Sequence, residues 1–100
     1  MNDLMVGQVV RSRAGRDKGQ FMVVLSIIDD NYVYVSNGEL RKVSQPKRKK
    51  IKHLSKTNHI TTTIRDKMKS NQEITNSDIK KEIKSFLEPE GLGDENREEV

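Results

Sequence analysis

Residues 14–20, Ala-Gly-Arg-Asp-Lys-Gly-Gln, stand between two runs rich in Val and Ile, and this juxtaposition constrains the chain more than any other. Two glycines, Gly15 and Gly19, bracket three charged residues, so the backbone can take left-handed dihedrals on both sides of a tight reversal. Asp17 is placed to bond neighbouring backbone N–H groups and pin the turn, which leaves Arg16 and Lys18 pointing outward. The expected unit is a hairpin: one strand over residues 6–13, a basic turn, and a second strand over residues 20–29. That second strand is apolar at both odd and even positions, as a curved central strand buried on each side would be.

More short strands follow. Asp29, Asp30 and Asn31 form a turn cluster, and Tyr32-Val33-Tyr34-Val35 then alternates aromatic and branched residues in the manner of a half-buried strand. Asn37-Gly38 favours a two-residue type I′ hairpin, with Leu40 to Val43 as the returning strand. Pro46 interrupts, and residues 49–54 supply a fifth strand that closes the sheet. Five short strands joined by tight turns favour a small barrel, closed so as to leave no exposed edge.

Past the barrel the period changes. Ile60, Ile64 and Met68 form one stripe of a short helix. For a second helix Thr75 can serve as N-cap with Asp78 three residues on, while Ile74 and Ile79 hold the two staple positions. Ile79, Ile83, Phe86 and Leu87 give that helix an apolar face, and Pro89 ends it. Neither helix is long enough to be stable alone, so each stripe packs on the barrel or on the other helix, or stays exposed until a protein partner arrives. The final residues are acidic and Gly-bearing and read as a disordered tail. The expected organisation is a barrel with a basic arm over 1–56, a helical hairpin over 57–88 and the acidic tail over 89–100.

Composition narrows the function. Only 32% of residues are apolar, against about 45% in ordinary globular domains, so part of the chain lies outside any core. There is no cysteine for a disulfide or a thiolate metal site, and no segment apolar enough to cross a bilayer, which together suggest a soluble, cytoplasmic protein. His53 and His59 have no acid between them to orient either ring, and no further donors at ligand spacing accompany them. Asp29 and Asp30 are adjacent and point to opposite faces of an extended chain. No enzyme, metal site or cofactor is expected.

Charge is divided along the chain. Residues 1–56 hold twelve Lys or Arg against five Asp or Glu, a net +7, while residues 57–100 hold seven against ten, a net −3. Lys47, Arg48, Lys49, Lys50 and Lys52 place five cations in six residues, with His53 next to them. Adding Arg11, Arg13, Arg16, Lys18, Arg41 and Lys42 gives eleven cations whose mutual repulsion a polyanion would relieve. Tyr32 and Tyr34 share one face of their strand and are candidates for stacking unpaired bases, or for covering the outer wall beside the basic stems. Four aromatic residues and no Trp exclude an extensive stacking platform, so binding would lean on phosphates and shape, as suits structured RNA.

The succession Val-Gly-Gln-Val-Val, Gly-Arg-Asp-Lys-Gly-Gln and Val-Val-Leu-Ser-Ile-Ile-Asp resembles the KOW motif of ribosomal proteins and NusG-type transcription elongation factors. Its continuation through Asn31 to Val35 and Arg41-Lys42-Val43 is more similar to large-subunit ribosomal proteins and their small bacterial relatives. The resemblance covers the first half of the chain and rests on the motif glycines Gly7, Gly15 and Gly19. It departs from many such sequences at Phe21 and Met22, where a further glycine is common. It implies a five-stranded SH3-like barrel, followed here by the two helices, that binds RNA, with ribosomal RNA or the ribosome as partner. A NusG-type module implies the alternative: a protein-interaction role in translation or transcription, using the barrel edge and the helical hairpin. Nonspecific DNA binding is compatible with the charge, but no groove-reading helix recommends it.

Overall fold

Alternating Val and Ile along the first half of the chain build one antiparallel sheet, and the computed structural model of the protein describes residues 3–88. Its strands are β1 (Gln8–Ser12), β2 (Phe21–Ile27), β3 (Tyr32–Ser36), β4 (Lys47–Lys50) and β5 (Leu54–Ile60), arranged β4-β3-β2-β1-β5. A 3₁₀ turn, Ile51–His53, joins β4 to β5, and two helices follow, α1 (Thr62–Lys69) and α2 (Asn76–Leu87). The register pairs Val9 with Val23 and Val10 with Met22 between β1 and β2, and Val24 with Val35 between β2 and β3. Irregularities between Gln8 and Val10 and between Val24 and Ser26 bend the sheet, since an extra residue on one strand increases local twist.

The bend gives the sheet two buried faces. Val10, Met22, Val24, Val33, Val35 and Leu54 fill the concave side with Leu4 and the half-buried Ile51. Val9, Val23 and Leu25 point the other way, into a second cluster with Ile64 of α1 and Ile79 of α2. The expectation that the second strand is buried on both faces therefore holds. The helices cover the convex face, and each fully buried Val or Ile there contributes about 1.5–3 kcal/mol.

The start of α2 is as the sequence suggests. The Thr75 hydroxyl accepts from the Asp78 amide at 3.1 Å, and the Asp78 carboxylate accepts from the Thr75 amide at 3.0 Å, a reciprocal capping box. Thr61 caps α1 with a single bond, its hydroxyl accepting from the Ile64 amide at 3.1 Å.

Elsewhere the structure corrects the sequence reading. Residues 40–43 form no strand: the partner of β3 is Lys47–Lys50, and Asn37-Gly38 opens a long loop rather than a two-residue turn. The Asn37 side chain accepts from the amides of Glu39 and Arg41 at 2.9 and 3.0 Å, and this local bonding replaces a ladder with β3. The expected fifth strand over 49–54 is instead the end of β4, the 3₁₀ turn and the first residue of β5. Ile60 belongs to β5, where it pairs with Gln8, so the sheet runs past the expected boundary at residue 56. The ladder stays open between β4 and β5, which follow one another through the 3₁₀ turn and share no paired residues. The expected tail over 89–100 lies outside the described residues.

Candidate nucleic-acid interface

The basic turn is built by its glycines and held from below. Gly15 and Gly19 take φ of +86° and +91°, the left-handed values that allow residues 14–19 to reverse between β1 and β2. Backbone bonds close the turn, from the Gly19 amide to the Ser12 carbonyl at 2.8 Å and from the Lys18 amide to the Gly15 carbonyl at 3.2 Å.

Asp17 is not mainly an anchor for backbone amides. Its side chain turns inward, where one carboxylate oxygen accepts from the Ser12 hydroxyl and from the Lys49 ammonium, both at 2.7 Å. Lys49 also donates to the Ala14 carbonyl at 2.7 Å. Burial pushes the Asp17 carboxyl up, but the hydrogen bonds from Lys49 and Ser12 and the nearby Lys49 charge outweigh it and hold the group below its ordinary value of 3.8. Arg41 stands farther off, its Nε 4.0 Å from the other carboxylate oxygen.

Lys49 must therefore be taken out of the expected ligand-facing set. It lies opposite Val33 in the ladder, so its side chain shares the inward face, and only 6% of the residue is exposed. The basic run carries no apolar residue within β4 to reveal that alternation, so the inward lysine cannot be picked out from the run alone.

With its one carboxylate occupied from within, the turn presents cations on both flanks. On one side Arg11, Arg13 and Lys18, with Ser12, Gly19 and Ser55, line a cleft of about 290 Å³. No carboxylate lines it, and among the described residues no acid pairs with any of its three cations within ion-pair distance. The Arg11 Nε donates to the Gly19 carbonyl at 3.3 Å, and its guanidinium lies 5.6 Å from the Phe21 ring centre, so this cation is mounted in place. The Arg13 amide bonds the His53 carbonyl at 2.8 Å, which ties the cleft to the 3₁₀ turn bearing Lys52. On the other flank, Arg16, Gln20, Leu40 and Arg41 surround Asp17 in a cleft of about 240 Å³.

A second basic surface lies on β3 and β4. Tyr32 pairs with Lys50 and Tyr34 with Arg48, which places two tyrosines and two cations on one face. The Arg48 guanidinium sits 4.0 Å from the Tyr32 ring centre and Lys50 Nζ 5.9 Å from it, so Tyr32 already has a cation over its ring. Tyr34 is 37% exposed and is the tyrosine whose ring faces solvent. Lys47 pairs with Val35 and is half-buried, while Lys42 is exposed on the loop between β3 and β4. The expected basic arm over 47–52 is thus a strand and a 3₁₀ turn, with its cations divided between the two faces of the sheet.

Gly7 lies away from these surfaces, its amide bonded to the Val24 carbonyl and its carbonyl to the Thr61 amide. His59 packs against Phe86 with ring centres 5.5 Å apart. Among the described residues no group of three acids or histidines is placed to hold a metal, and no helix is long and apolar enough to cross a membrane. No protein-family model and no curated protein sequence matches the chain.

Proposed function

We propose that the protein binds structured RNA, with ribosomal RNA as its natural class of ligand, through the residue 14–19 turn and the cations beside it. The observation that carries this reading is the cleft of Arg11, Arg13 and Lys18, which concentrates three cations on a fixed backbone with no carboxylate among them. Phosphate oxygens satisfy such a group without base-specific geometry. Arg16 and Arg41 extend the surface across the turn, Lys52 and His53 on the adjoining 3₁₀ turn and Lys42 and Lys47 are further candidate contacts, and Arg48 and Lys50 belong to the second basic surface on β3 and β4. Tyr34 supplies one open ring for a base. The KOW resemblance points to the same ligand.

Titrating the protein against a structured ribosomal RNA fragment across a salt series tests the reading. About five phosphate contacts at roughly 0.7 each give a log–log slope near −3 to −4. Arg13→Glu with Lys18→Glu should weaken binding at least tenfold and flatten that slope, whereas Lys69→Glu on α1 should change little. A salt-independent affinity, or equal loss in both variants, would refute it. Co-sedimentation with the large ribosomal subunit, released by salt, is expected on the same basis.

A second reading, docking of a protein partner, has one observation in its favour: an apolar groove of about 440 Å³ between Met5, Val6, Leu25 and Met68, flanked by Arg65 and Lys69. The α2 stripe is unsuited to that role, because Ile79 is fully buried and Ile83 and Phe86 pack against the sheet. Met68→Asp is the informative substitution: loss of partner capture with RNA affinity intact would favour this reading.

A further inference from the structure

We propose that the groove between Met5, Val6, Leu25 and α1 takes an acidic segment of a partner protein, with one large apolar side chain on its floor and a carboxylate on Arg65. The inference deepens the protein-docking reading, on which it rests, and is independent of RNA binding.

The floor is apolar and its lip is fixed. Val6 and the buried Leu25 form it together with the exposed Met5 and Met68, whose unbranched thioether side chains adapt to the shape of a ligand. The Gln8 amide donates to the Met5 carbonyl at 3.0 Å, and the Met5 amide donates to the Gln8 side chain at 2.9 Å. The backbone beside the groove is therefore ordered before a ligand arrives, which lowers the cost of binding.

The cation beside that floor has no partner. Arg65 is half-buried, and its stem lies across Gly7, where a Cβ would stand 3.0 Å from Arg65 Cγ and 2.9 Å from the Thr61 carbonyl oxygen. Gly7, remote from the basic surfaces, thus lets α1 seat Arg65 directly on the backbone. Among the described residues no carboxylate lies within ion-pair distance of Arg65, or of Lys69 one turn further along α1. Asp66, the one acid of α1, does not line the groove. A half-buried guanidinium is best satisfied by a carboxylate, which it holds through two parallel N–H···O bonds. RNA is a poorer occupant: no aromatic ring lines the groove to stack a base, and a phosphate would leave the apolar floor bare.

The groove also lies clear of the basic turn. Val6 and Arg13 stand beyond opposite ends of β1, roughly 20 Å apart at about 3.3 Å per residue, so RNA on the turn leaves the groove open.

The test is an NMR titration of the full chain carrying methyl-labelled methionine. Its probe is a synthetic peptide of about twelve residues with a central Leu between glutamates placed a helical turn away on either side. The Met5 and Met68 methyl signals should shift saturably, while that of Met22, fully buried in the core, should stay in place and report an intact fold. Arg65→Glu should weaken binding about tenfold or more. A peptide with Lys in place of Glu should bind that variant more tightly than it binds the native chain, a reversal that a purely structural role for Arg65 would not produce. No shift of Met5 and Met68 up to about 1 mM peptide overturns the site. Equal binding of the Glu and Lys peptides to the native chain overturns the acidic ligand and leaves the docking reading in place. Phosphatidylglycerol vesicles that shift these methyls where the peptide does not would make a lipid surface the occupant, and overturn the proposal. Saturating ribosomal RNA fragment should change peptide affinity by no more than about twofold, and a larger loss overturns the separation of the two sites. The peptide results stand whether or not that RNA binds.

Discussion

The loops at residues 14–19 and 37–46 look alike in sequence, each with glycine, an Asp or Asn and paired cations, yet the protein holds them by opposite means. The first is anchored inside the sheet, where Asp17 meets Ser12 and Lys49 below the turn. The second is anchored from outside by a helix. The Val43 amide bonds the Asn76 side chain at 2.8 Å, and Gly38 lies so close to α2 that a Cβ there would stand 2.6 Å from the Asn76 carbonyl oxygen. A buried ion pair gives the first loop a fixed shape independent of the helices. The second combines the local Asn37 bonds with the docking of α2.

Removing the internal anchor should have the largest effect. Lys49→Ala leaves Asp17 charged and buried with only the Ser12 hydroxyl and the more distant Arg41 beside it, and should destabilise the fold by about 3–5 kcal/mol in urea unfolding. Replacing both partners, Asp17→Asn with Lys49→Met, should recover part of that loss; a double variant as unstable as the sum of its parts would show that the two residues act separately. Acid titration probes the same pair. Because the folded carboxyl is held below its ordinary value of 3.8, its contribution is complete above that pH and is lost as pH falls through the lowered value. Lys49→Ala should remove this acid-side dependence.

Gly38→Ala comes next. It combines a left-handed residue, φ +78°, with a clash against α2, and should lower stability by about 2–4 kcal/mol with faster hydrogen exchange along α2. Gly15→Ala is the matched control. A Cβ there has its nearest contact at 3.4 Å, with the end of the Lys49 side chain, so only the backbone penalty of about 1–2 kcal/mol applies and α2 exchange should not change. If Gly38→Ala leaves α2 protected, the external anchoring of the second loop is wrong. Thr75→Ala, which removes one half of the capping box, should cost about 1 kcal/mol, confined to the first turn of α2.

Features set within a few residues could be read from the chain. The Gly15 and Gly19 dihedrals, the double burial of β2 and the Thr75–Asp78 cap each follow from a local pattern, since backbone sterics and side-chain period act over a turn or a strand. The Asn37-Gly38 pair shows the limit of that logic. The same dipeptide suits a two-residue hairpin and a close approach to a helix, and a contact with Asn76 decides between them. In the candidate site the basic character of the turn was equally plain. Which cations face outward was not, because alternation along Lys47 to Lys50 has no apolar residue to fix its phase.

By itself, then, the sequence determined a basic glycine-bracketed turn between two apolar strands, a β-rich first half and a capped second helix. Only the tertiary structure decided that Lys49 faces inward, that β4 replaces residues 40–43 as the partner of β3, and that the last turn of α2 comes to rest beside Arg11 by way of Phe21. The physical reason is reach. Dihedral preferences and capping bonds act between near neighbours, whereas the β3–β4 register pairs residues twelve to eighteen positions apart and the buried charge pair and the helix-held loop join residues more than thirty apart, brought together only when the sheet and helices close on one core.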